Sequence, residues 1–170
     1  MKFITWFLAG TIGQTMCNVL ANMIPWNLVP DFCVMVLVFL SAKRDISHLV
    51  FLGLFFGYIN GRMALAPPGL HEVAFIITTL VVYRLGGQFF VEGRWFFGVQ
   101  VALSLMLYHA SLFILSYAVR GFVGVGSFAA ISLVPAGLVN GISAVILYSL
   151  FIRIEKVFKQ TKQSGLTWDL

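Results

Sequence analysis

Long apolar runs separated by short polar, proline- or glycine-bearing breaks divide this chain into six stretches of helical length. The first covers about 3–24 and is closed by Pro25-Trp26-Asn27. The second covers about 28–42 and stops at Lys43-Arg44-Asp45. The others cover about 48–61, 70–84, 95–119 and 127–152, with breaks at Pro67-Pro68-Gly69, at Arg84-Leu85-Gly86-Gly87 and at the glycine-rich turn 121–126. A polar tail follows over 153–170. The second stretch has a length problem, because only the eleven residues 32–42 lie between Asp31 and Lys43, fewer than an upright span needs. Either its helix starts nearer Asn27, with the prolines in its first turn, or it is short and the bilayer thins locally around it.

Composition turns this pattern into a class. Apolar residues make up 60% of the chain and charged residues 10%, against roughly 45–50% and about 25% in soluble domains. The expected fold is therefore an all-α integral membrane protein, a six-helix transmembrane bundle over residues 1–152 with a basic cytoplasmic tail over 153–170. A net charge of +5 would point to nucleic acid in a soluble protein. Here the cations sit between apolar runs, which points to orientation and to membrane lipids instead. With the N-terminus inside, Lys2, Lys43, Arg44, Arg84, Arg94, Arg153, Lys156, Lys159 and Lys162 are cytoplasmic, and only Arg62 and Arg120 are outside. That asymmetry predicts both termini in the cytoplasm and an even number of spans.

Polar side chains within apolar stretches show which helix faces turn inward, since each costs free energy in hydrocarbon unless it meets a partner or a cavity. Thr11, Gln14, Asn18 and Asn22 recur at helical steps along one face of the first stretch. They line a polar pocket or they hydrogen-bond neighbouring helices; the absence of charge favours the second. Gln100, Ser104 and Tyr108 share a face of the fifth stretch, with His109 beside them as a proton relay or a neutral hydrogen-bonding group. Asn140 in the sixth has the same two readings. Asp31 and Glu72 lie in first turns, where carboxylates are favoured by free N–H groups. Gly53, Gly57 and Gly61 form a small-residue strip, echoed by Ala9 with Gly13 and by Gly137 with Gly141, that admits a helix of this chain or of a partner. Cys17 and Cys33 sit in apolar surroundings and read as packing residues.

The chemistry expected of an enzyme has no motif to carry it. The chain holds no HExxH, no GxSxG and no paired acids within a stretch. No catalytic residue, metal ligand or cofactor site is expected.

The segment Val29-Pro30-Asp31-Phe32 through Lys43-Arg44, followed by the glycine-bearing third helix and Gly69-Leu70-His71, resembles the rod-shape-determining MreD family. The likeness covers residues 28–83; where the family often has an aspartate, this chain has Asn60. The resemblance implies a non-enzymatic scaffold of the bacterial cell-wall elongation machinery in the inner membrane. The implied partners are an MreC-like bitopic protein and, near it, a RodA-type glycosyltransferase with its transpeptidase. Pro30, Asp31, Gly53, Gly57, Asn60, Gly61, Gly69, Leu70 and His71 become candidates for partner binding or helix packing. The family's fold is similar to the substrate-binding subunits of vitamin transporters, which supplies the alternative. In that alternative Gln14, Asn18, Asn22, Gln100, Tyr108, His109 and Asn140 would line a ligand pocket.

Overall fold

Each of the six apolar stretches forms one helix in the computed structural model, which describes residues 2–21, 29–41, 43–64, 67–89, 93–120 and 128–163. They are α1 (Lys2–Ala21), α2 (Phe32–Ser41), α3 (Ile46–Met63), α4 (Leu70–Phe89), α5 (Arg94–Arg120) and α6 (Phe128–Gln163). Two of them contain segments long and apolar enough to cross a membrane, Arg94–Val119 and Leu133–Val157. All the described elements are helical.

The shortest helix is the centre of the molecule. From Cys33 to Ser41 every residue of α2 is buried, and α1, α3, α4 and α5 pack around it. Ten residues give a rod of about 15 Å. Of the two expectations the structure gives the short helix: residues 29–31 are not helical, so the helix does not start nearer Asn27, and the protein itself surrounds the short rod. Phe151 of α6 pins the assembly together, its ring centroid lying 5.2 Å from Phe39, 5.4 Å from Phe32 and 5.8 Å from both Trp6 and Phe97.

Small residues set the close approaches. A β-carbon at Gly57 would lie 2.5 Å from the Glu72 Cα and 2.9 Å from the His71 carbonyl oxygen, and one at Gly53 would lie 2.7 Å from Thr79 Oγ1. The strip on α3 is therefore filled by α4 of the same chain. Of the two readings of that strip, the structure gives helix packing, and the glycines are not open to a partner. Gly13 seats the Phe32 ring, Gly10 the Phe56 ring, and Gly137 the Met106 side chain.

Two helices run past their expected ends. Gly86 and Gly87 do not end α4, which continues to Phe89; a helical glycine costs only about 1 kcal/mol relative to alanine. Helix α6 also runs past residue 152, into the expected tail, as far as Gln163. The tail residues 153–163 are mostly good helix formers, and Glu155 is paired with Lys43, whose ammonium also sits 4.1 Å from the Phe39 ring centre.

Candidate functional site

A helix that begins inside a protein must find acceptors for its first amide groups, because water does not reach them. At α2 these acceptors come from three directions. The Asp31 N–H donates to Asn140 Oδ1 of α6 at 2.6 Å. The Phe32 N–H donates to Gln14 Oε1 of α1 at 2.8 Å, and the Cys33 N–H makes a longer contact with the same oxygen at 3.4 Å. The Val34 N–H donates to Asp31 Oδ1 at 3.1 Å, so Asp31 is the N-cap. Pro30 precedes it in non-helical backbone.

On the polar face of α1, Gln14 is thus a capping residue for α2. Gln14, 5% exposed, spends its carbonyl on α2 and donates through Nε2 to Asn18 Oδ1 at 3.4 Å. Asn18 in turn donates to the Met63 sulfur of α3. Thr11 bonds back to the Phe7 carbonyl within its own helix. Asn22 lies outside the described residues. Asn140, 1% exposed, also donates to the Ala136 carbonyl, so both ends of its amide are engaged.

A second polar group forms where α4 begins. Gly69 takes a φ of 90°, a backbone region open to glycine and strained for other residues, and its carbonyl accepts the Val73 N–H at 3.0 Å. Leu70 is the first residue of α4. The next, His71, brings Nδ1 to 2.6 Å from the Tyr108 hydroxyl of α5. Tyr108 is buried against Phe75, ring centroids 4.5 Å apart, and the ring of His109 lies 5.4 Å from its own. His71, Tyr108 and His109 therefore form one local group, while Gln100 stands apart, two turns back on α5, its backbone carbonyl accepting the Ser104 hydroxyl at 2.6 Å.

At the junction of α3 and α4, Asn60 Nδ2 and Glu72 Oε2 are buried without a hydrogen-bond partner. A buried polar atom left in this state costs about 1–3 kcal/mol. A β-carbon on Gly61 would meet the Glu72 oxygen only at ordinary contact distance, 3.8 Å. Among the described residues no three His, Cys, Asp or Glu side chains group as metal ligands would.

Some of these roles had no signature in the sequence. Nothing in the spacing pairs Lys43 with Glu155, which are 112 positions apart. Phe151 was one phenylalanine among 17. Gln14 and Asn140 were visible as polar residues in apolar stretches, but not as caps of a third helix.

Comparison of the chain with protein-family models, with curated proteins and with solved structures found no match.

Proposed function

We propose that this chain is a six-span inner-membrane subunit with both termini cytoplasmic, acting without catalysis as a scaffold of the bacterial cell-wall elongation machinery beside an MreC-like bitopic protein. The observation that carries the reading is the use made of the segment resembling the MreD family. Its Pro30-Asp31 opens α2, its apolar run is the buried centre of the molecule, and its Gly69-Leu70-His71 turn starts the helix that fills the glycine strip of α3. The residues behind the resemblance are those on which this architecture depends.

Membrane embedding has separate support. Ile4, Leu8, Ile12, Met16 and Val19 form an exposed apolar stripe on α1, and Val99, Leu103, Leu138, Ile142 and Ile146 do the same on α5 and α6. Apolar surface on this scale fits hydrocarbon as solvent. The vitamin-binding alternative is weakened by the engagement of Gln14, Asn140 and Tyr108 in hydrogen bonds within the protein.

The test is a pull-down of the tagged chain in mild detergent, with proteins and small molecules both identified by mass spectrometry. Recovery of a bitopic coiled-coil protein with cell-wall synthases is the expected result. Recovery of ATPase subunits or a bound vitamin would overturn the scaffold reading.

A further inference from the structure

Helices α5 and α6 cross where two glycines bring their backbones together: a β-carbon on Gly141 would lie 3.0 Å from the Gly98 carbonyl oxygen. On the outward side of this crossing lies an open groove of about 350 Å³. Trp95, Val99 and Ala102 form one wall and Leu138, Ile142 and Ile146 the other, so its lining is apolar throughout. An open, wholly apolar groove of this volume suits an extended hydrocarbon chain.

The groove has a chemically distinct end. Along α6, Leu138, Ile142, Val145, Ser149, Arg153 and Lys156 follow at steps of three and four, so one face passes from apolar side chains through a hydroxyl to two cations. Arg153 and Lys156 are both exposed. Helix α5 runs antiparallel, with Phe97 against Tyr148 and Phe151, which brings Arg94 to the level of Ser149. Its guanidinium lies 5.6 Å from the centre of the Trp95 ring, the wall of the groove. Glu155 falls off this face and is paired with Lys43. With 36 residues, α6 is about 54 Å long, against a hydrocarbon core of about 30 Å. A groove in the core therefore leaves the two cations at headgroup depth.

We propose that this groove binds an anionic phospholipid, with an acyl chain between α5 and α6 and its phosphate held by Arg153, Lys156 and Arg94. The site rests on the membrane part of the proposed function and is independent of the cell-wall role. Apolar walls alone would take any lipid; the cations at one end select a negative headgroup, at about fivefold per charge.

The experiment is native mass spectrometry of the full chain in mild detergent, equilibrated with equal amounts of phosphatidylglycerol and phosphatidylcholine. The wild-type chain should retain phosphatidylglycerol in about tenfold preference or more, and Arg153→Gln with Lys156→Gln should lower that preference by about an order of magnitude. Ile142→Trp, which fills the groove from an exposed position, should reduce retention of both lipids. Arg84→Gln, an exposed cation on α4, should change neither. Equal retention of the two lipids by the wild type, or an equal loss from Arg84→Gln, overturns the proposal. So does a dimer of the chain that Ile142→Trp dissociates, since the occupant would then be a second copy. A chain that stays dispersed without detergent overturns the site together with the membrane reading, whereas a pull-down without cell-wall partners leaves the site standing.

Discussion

Replacing Gln14 by Met tests whether the buried start of α2 is held by a side chain two helical turns from the end of α1. Methionine keeps the length and much of the volume of glutamine and removes its acceptor, so the Phe32 N–H loses its 2.8 Å bond and the Cys33 N–H its 3.4 Å contact. A typical interhelical polar contact in a membrane protein is worth about 0.6 kcal/mol, because the freed group finds another partner. Phe32 is the first residue of its helix and packs against Phe151 and the Gly13 surface, which leaves its amide little access to another acceptor. The Phe32 amide is half-buried, so the cost should lie between that typical value and the full penalty of an unsatisfied buried donor, at about 1–2 kcal/mol. Equilibrium unfolding by SDS titration from mild detergent measures it. Hydrogen exchange locates it: the first amides of α2 should exchange faster while the α5–α6 pair is unchanged. Thr15→Val is the control, since Thr15 is exposed and its hydroxyl bonds only to the Thr11 carbonyl of its own helix. A Gln14→Met protein within about 0.5 kcal/mol of wild type, with unaltered exchange in α2, would refute the capping argument.

Three further outcomes follow from the contacts. Gly57→Ala should destabilise by about 2–3 kcal/mol, since its new methyl meets α4 backbone, whereas Gly61→Ala, whose nearest neighbour is the His71 side chain at 3.4 Å, should cost less than about 1 kcal/mol; thermal midpoints in detergent decide this, and equal effects would sink the packing argument. Tyr108→Phe removes the hydroxyl that meets His71 at 2.6 Å and should cost about 0.5–1.5 kcal/mol in the same assay, with no change expected from Tyr117→Phe at an exposed site. Lys43→Gln should shift stability by no more than about 1 kcal/mol, because both partners of the Lys43–Glu155 pair keep solvent contact, and the shift should shrink as salt rises.

The glycine strip shows how far the sequence reaches. Spacing alone placed Gly53, Gly57 and Gly61 on one face and required a close neighbour. It did not say whose helix that neighbour was, because any smooth helix satisfies a small-residue strip, and the turn at Gly69 had to fold α4 back before the answer existed. The polar stripe on α1 was legible in the same sense: the cost of burying amides predicted partners for Gln14 and Asn18. The identity of Gln14's partner depended on where α2 begins, which is set by Pro30 and Asp31 in another part of the chain, and that of Asn18's on where α3 ends. Hydropathy stopped short of the helical ends of α4 and α6 because it responds to charge and glycine. A helix ends where its hydrogen bonds and packing stop paying for chain entropy, and neither reads directly from composition.

By itself the sequence determined six helices, their order, the inward faces of α1 and α5, and a distribution of cations that differs between alternate turns. These follow from local periodicity and from the solvation cost of polar groups, which act residue by residue. Only the tertiary structure decided that the shortest apolar run is the centre, that Gln14 and Asn140 cap it, and that Lys43 meets Glu155. Each of these depends on contacts between residues distant in the chain, and such contacts are selected by the packing of all the helices together.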